Sequence, residues 1–191
     1  MYDRFFGDNE YKGQNFQQAA LEKGEYDNCS FYNCNFKQSD ITNVSFTECS
    51  FHDCDFSMAN IKNSAFKEVH FYNCKLMGLH FDTCNPFLLS FNFEDCILNF
   101  SSFYKLKLKK MLFKKCSMEQ VDFTETDLTE CVLDNCNLEN AIFHNTVLRA
   151  ADLSTSYNMT IDPEINQLQK AKFSTKGALS LLKKYNIKIE L

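Results

Sequence analysis

Ten cysteines in one chain have the chemistry for zinc binding, disulfides or redox work, and their spacing decides among these. No Cys-x-x-Cys occurs, and the shortest interval is five residues, as from Cys29 to Cys34. The four histidines, His52, His70, His80 and His144, form no triad-like arrangement with Ser, Cys or Asp. Only five glycines are scattered along the sequence, so no Gly-rich phosphate loop exists. Lys105, Lys107, Lys109, Lys110, Lys114 and Lys115 have the linear look of a nucleic-acid patch. None of these groups specifies catalysis, and no metal or cofactor is expected.

What places these residues is a repeat. Large apolar residues recur every fifth position from Phe31, Phe36 and Ile41 to Phe81, Pro86 and Phe91, with Pro86 the one exception. A second run, displaced by two, goes from Leu98, Phe103 and Leu108 to Leu153. A period of five fits neither a helix nor a flat strand, so the chain must turn a corner in every repeat. Two residues before each large centre stands a smaller one, and all ten cysteines fall in this class. Alternating small and bulky inward positions fill a narrow tube, leaving the polar positions to water.

Like residues should stack where coils lie on one another. Cys34, Cys54 and Cys74 recur at 20 residues, as do Cys96, Cys116 and Cys136, and Phe31, Phe51, Phe71 and Phe91. Four repeats therefore make a coil. The step from Cys74 to Cys96 is 22, which predicts a two-residue bulge near 92–97 and one column of six thiols. Stacked thiols point the same way, so neighbours do not converge on one metal or form unstrained disulfides, and buried, reduced thiols are expected. In the same register Lys105, Lys110 and Lys114 face Glu125, Glu130 and Asp134, which turns the lysine run into a self-neutralised ladder.

Cys34-Asn35-Phe36, Cys54-Asp55-Phe56, Thr126-Asp127-Leu128, Cys136-Asn137-Leu138 and Ala151-Asp152-Leu153 resemble the pentapeptide-repeat family: a small residue, Asp or Asn, Leu or Phe, then two variable residues. The resemblance covers about 15–155 and implies an all-β fold, a right-handed quadrilateral parallel β-helix. The six coils from Cys29 to Thr155 would make a rod of roughly 29 Å. Residues 1–191 are read as one domain, with 156–191 as C-terminal cap and tail. Ser174 is expected to cap a short helix over about 175–185 with Ala178, Leu182 and Tyr185 on one face. Ile187, Ile189 and Leu191 then alternate along an extended tail. This end offers more apolar surface than one coil can cover, so a homodimer through Leu182, Tyr185, Ile187, Ile189 and Leu191 is expected.

Two surfaces are candidates for a partner. Residues 1–155 hold 22 acids and 14 bases, whereas 156–191 hold three acids and six bases, so the rod is acidic and the tail basic. Assigned by 20-residue columns, the most acidic face carries Asp40, Asp82, Asp122 and Glu125, and reads either as a partner site or as a solubilising surface. Phe87, Leu88, Phe93 and Phe100 fall at outward positions around the bulge. Either the bulge turns some of them inward in place of Pro86, or they form an exposed apolar patch.

Within the family, the resemblance extends to the free-standing quinolone-resistance proteins, which bind type II DNA topoisomerases as DNA mimics and dimerise through a C-terminal helix. It implies a non-catalytic protein that binds DNA gyrase or topoisomerase IV, with no direct contact to nucleic acid. A protein–protein scaffold without a nucleic-acid role is the alternative. No basic leader and no run of roughly 18 apolar residues is present, so a cytoplasmic protein without membrane contact is expected.

Overall fold

A computed structural model describes residues 4–87 and 89–188. The chain winds into a parallel β-solenoid with a 20-residue coil and a short C-terminal helix. One side carries a nine-stranded parallel sheet running from Glu10–Lys12 to Lys172–Phe173, in which Phe31 pairs with Phe51 and Phe51 with Phe71. The next carries a four-stranded sheet from Phe5–Gly7 to Ala65–Lys67, and the other two are held by isolated parallel bridges such as Asn35 to Asp55 and Asp40 to Asn60. Among the described residues no helix is long and apolar enough to cross a membrane.

The pentapeptide produces each side and each corner by local chemistry. At several positions the Asn or Asp before the centre accepts the N–H two residues on, as from Lys37 to Asn35 Oδ1 (2.9 Å) and Ser57 to Asp55 Oδ1 (2.8 Å). The residue two after the centre adopts a left-handed backbone, which suits the many Asn and Asp found there, including Asn33 (φ 52°), Asn43 (φ 55°) and Asp53 (φ 55°). On the sides held by isolated bridges, and after the insertion on the side of the four-stranded sheet as well, the following inward residue then closes a turn, as Ser39 N–H does by donating to Phe36 O (3.0 Å) and Cys131 N–H to Leu128 O (3.1 Å). Inside, rings of successive coils stack, with centroids 4.7 Å apart for Phe31 and Phe51 and 4.2 Å for Phe36 and Phe56.

The two extra residues enter earlier than 92–97. Asn85 N–H still reaches Ser64 O in the regular register, but Val69 already pairs with Phe91, 22 residues on. Pro86 and Phe87, in the intervening segment, are exposed, and Phe87 is 74% accessible. The inward column therefore runs Phe71, Phe93, Phe113, so Phe93 takes the place expected for Phe91. Phe91 turns inward as well, at the small position opposite Val69. Leu88 lies outside the described residues.

The solenoid also exceeds 15–155 at both ends. Phe5 pairs with Glu25 before it, and Asp152 pairs with Lys172 after it. The 156–171 stretch is thus largely coil rather than cap, with Asn166 buried at a small position where its Oδ1 accepts Thr146 N–H (2.8 Å). Nine strand levels give a rod of about 38 Å at about 4.8 Å per coil.

The end cap is shorter than a helix over 175–185. Helix α1 spans Thr175–Ser180, with Ser174 Oγ accepting Gly177 N–H (3.0 Å), and a 3-10 turn follows at Lys183–Tyr185. Ser180 donates to Gly177 O (2.7 Å), and the next N–H groups bond only three residues back, which tightens and ends the helix. Gly177 is buried and Leu181 packs on the core, whereas Ala178, Leu182 and Tyr185 face outward.

Candidate binding surfaces

All ten cysteines are free and buried. Burial pushes the Cys49 and Cys131 thiols up to about 12, so both stay protonated at neutral pH. The six-thiol column continues across the insertion, since Lys75 pairs with Ile97 and Ile97 with Ser117. The four histidines are outside the core, and His52 is stacked between Tyr32 and Tyr72 at 4.8 Å from each.

The lysine run is largely neutralised between coils. Lys105 meets Glu125 (3.6 Å) and Lys110 meets Glu130 (3.6 Å), as the column register requires, and Lys109 adds Asp127 (3.3 Å). Lys114 departs from that register: it reaches back to Glu94 (2.6 Å) rather than on to Asp134. These pairs are largely exposed, so solvent screening leaves each only a small contribution to stability.

Asp40, Asp82, Asp122 and Glu125 do share one side of the rod, the side whose centres are Ile41, Phe81 and Phe123. Three of their carboxylates are already engaged. Asp40 lies 3.4 Å from Lys23 and accepts Thr42 N–H, and Glu125 faces Lys105, whereas Asp82 Oδ1 is buried 3.4 Å from His80 Nδ1 with no hydrogen-bond partner among the described residues. Asp122 accepts Thr124 N–H (2.8 Å), so it and Asp40 also form turns of the fold.

A more open acidic surface lies on the four-stranded sheet. Glu25 and Asp27 stand on one of its strands and Asp8, Glu48 and Glu68 at the left-handed corner that follows the others; none has an ion-pair partner among the described residues, although Asp8 Oδ1 accepts Asn28 Nδ2–H (2.6 Å). The only lysine on these four strands is Lys67. Sequence reading missed this row because it weighed each side over its whole length, and the same side turns basic at Lys107, Lys109 and Lys110. Following the column Asp8, Asn28, Glu48, Glu68 at intervals of 20 would have found it.

The apolar candidates separate. Phe93 is buried, whereas Phe87 and Phe100 are 74% and 53% accessible. Phe100 stands on the opposite part of the rod from Phe87, in a corner column with Met58 and Gly78. Phe100 (φ 63°) and Met58 (φ 59°) hold bulky side chains at the left-handed position, and a Cβ at Gly78 would collide with Met58 Sδ. The corner is thus an exposed apolar ridge held on a strained backbone. At the C-terminal end Leu182, Tyr185 and Ile187 are exposed, beside a groove of about 510 Å³ between helix α1 and the last coils. Ile189 and Leu191 lie outside the described residues.

The amino-acid sequence of these coils matches two family models. A model described as pentapeptide repeats (8 copies) matches residues 29–67, and one described as a pentapeptide repeat region matches 64–143. The chain belongs to the pentapeptide-repeat family. No curated protein sequence matches it. Among solved structures it is similar to a trypsin-treated single-site variant of QnrB1, described as a plasmid-mediated fluoroquinolone resistance protein, with 17% identity, TM-score 0.65, and coverage of 98% of this chain and 100% of that one. A second trypsin-treated QnrB1 variant gives TM-score 0.65 at 16% identity, covering 98% and 99% of the two chains. Full-length QnrB1 gives 0.52 at 17%, covering 96% and 100%. At such identity the likeness establishes a shared fold alone, over the part of the chain that the matches cover.

Proposed function

We propose that this pentapeptide-repeat protein is a non-catalytic rod that offers carboxylates to a basic protein surface as duplex DNA offers phosphates, and that its partner is a bacterial type II topoisomerase, gyrase before topoisomerase IV. The observation that carries this reading is the row Asp8, Glu25, Asp27, Glu48 and Glu68, free of ion pairs among the described residues on one side of the first four coils. Four coils span three rises, about 14 Å, over which duplex DNA carries about eight charges. Five carboxylates less Lys67 give about half that density on one side, enough for a modest, salt-sensitive interaction. The likeness in fold to QnrB1 supports topoisomerase as the partner. In the same reading the protein acts as a homodimer, joined through the outward side chains of Leu182, Tyr185 and Ile187 and the tail beyond them.

The test is gyrase supercoiling in the presence of a fluoroquinolone, together with direct binding at low salt and competition by duplex DNA. Restored or inhibited supercoiling with DNA-competed binding is the expected result. No complex at low salt and no effect on supercoiling at excess protein would exclude it. A specific observation favours a second reading, a protein–protein scaffold: the strained apolar ridge of Met58, Gly78 and Phe100. Binding through that ridge would be insensitive to DNA and strengthened by salt.

A further inference from the structure

Cys34, Cys54, Cys74, Cys96, Cys116 and Cys136 stand on successive coils, and Cys29 and Cys49 form a second column on the neighbouring side. The side chains share one orientation. Each Sγ lies against the carbonyl two residues back in its own coil and a carbonyl of the preceding coil: His52 O (3.3 Å) and Phe31 O (3.5 Å) for Cys54, Tyr72 O (3.3 Å) and Phe51 O (3.4 Å) for Cys74. The insertion leaves this unchanged, with Cys96 Sγ 3.3 Å from Glu94 O and 3.4 Å from Phe71 O. Cys29 and Cys49 repeat it on Asp27 O and Phe6 O, and on Thr47 O and Tyr26 O. Side chains related by translation repeat at the coil rise, about 4.8 Å, so the sulfurs form a line parallel to the rod axis.

Such a line does not chelate a tetrahedral ion, which needs converging ligands. Among the described residues no three His, Cys, Asp or Glu side chains are grouped to hold a metal. Linear two-coordination has the opposite requirement: two sulfurs facing each other at twice the metal–sulfur distance. At about 2.3 Å per thiolate bond, taken from zinc, that span is about 4.6 Å, close to the coil rise. The parallel alignment that defeats zinc is therefore suited to a thiophilic ion bridging adjacent coils.

We propose that the thiol columns bind divalent, thiophilic, linearly coordinating cations such as Hg²⁺, one ion between the sulfurs of two neighbouring coils. Two S–H bonds break, two metal–sulfur bonds form and two protons leave to solvent, with no change of oxidation state. Charge selects the divalent ion, because the bis-thiolate unit is then neutral, whereas a monovalent ion leaves one negative charge in the core. A sulfur used in one linear unit is not free for another, so six thiols take three ions and the Cys29–Cys49 pair takes a fourth. Cys84 and Cys131 have no thiol on the adjacent coils of their columns and take none.

The test equilibrates the reduced, full-length protein with mercuric chloride and follows native mass, proton release, β-type circular dichroism and mercury X-ray absorption. Four ions and eight protons per chain, an unchanged β spectrum and two sulfurs in line at about 2.3 Å are expected, with no Zn²⁺ retained under the same conditions. Pairing gives a parity signature. Cys34→Ala leaves five thiols in the long column and lowers the count from four to three. Cys34→Ala with Cys54→Ala also gives three, and Cys131→Ala keeps four. The proposal is overturned by three- or four-sulfur coordination, by equal retention of Zn²⁺, by loss of the β spectrum on uptake, or by no uptake at equilibrium. A count that follows the number of thiols rather than pairs overturns it as well. Should a variant fail to fold, the count and coordination number of the unaltered protein decide alone.

Discussion

Phe93 stacks on Phe71, with ring centroids 5.2 Å apart and planes 14° from parallel, although 22 residues separate them. Two residues have been inserted without breaking the ring column, because Pro86 and Phe87 lie out in solvent while the register closes again by Ser90. Phe93 is fully buried, so Phe93→Ala should cost about 3–5 kcal/mol. Phe87→Ala should stay within about 0.5 kcal/mol. Urea unfolding followed by circular dichroism separates the two, and a large loss at Phe87 would contradict the solvent-facing segment.

The buried thiols make the protein sensitive to alkali. Cys49 and Cys131 titrate near 12 when folded, because burial disfavours the thiolate, and near the ordinary thiol value when unfolded. The unfolded chain therefore loses these protons first. Their stabilising effect is complete below the unfolded value and is lost as pH rises towards 12, at up to about 1.4 kcal/mol per pH unit for each thiol. Denaturation midpoints should fall between about pH 9 and pH 11, and Cys131→Ala should shallow that fall. Native labelling by a thiol reagent should be slow at about pH 8 and reach ten equivalents after unfolding.

For the acidic row, Glu25→Gln, Glu48→Gln and Glu68→Gln together should weaken gyrase binding several-fold and reduce its salt dependence without changing the β spectrum. Asp40→Asn and Glu125→Gln should have a smaller effect, since both carboxylates already face lysines. Equal effects from both sets, read by titration at two salt concentrations, would locate the contact elsewhere.

At the strained corner, Phe100→Asn should stabilise the fold by up to about 1 kcal/mol, because an exposed bulky residue at φ 63° gives way to one that tolerates that backbone. A loss of stability would show that the Phe100 ring packs where the structure has it exposed.

Leu182→Lys with Ile187→Lys should leave the β spectrum intact and halve the mass in solution, since both side chains already face outward. Analytical ultracentrifugation reads this directly. A protein that is monomeric at micromolar concentration before any substitution removes the dimer.

The coil was legible in the amino-acid order alone. A five-residue period with one small and one bulky inward position can close only as a tube, and the 20-residue recurrence of Cys34, Cys54 and Cys74 counts four repeats to a turn. These are short-range constraints, repeated until they leave no alternative. Contacts between coils settled what the period leaves open. Phe91 and Phe93 are both hydrophobic and two apart, so only the register of the neighbouring coils tells which continues the column. Lys114 stands between Glu94 and Asp134 on adjacent coils, and side-chain geometry selects the first. Coils also continue past residue 155, because Asn166 fills a small position by hydrogen bonds that no apolar pattern announces. The acidic surface shifted for the same reason: a carboxylate that forms a turn or meets a lysine reads the same in sequence as one left free, and only their neighbours in space distinguish Asp40 from Glu48.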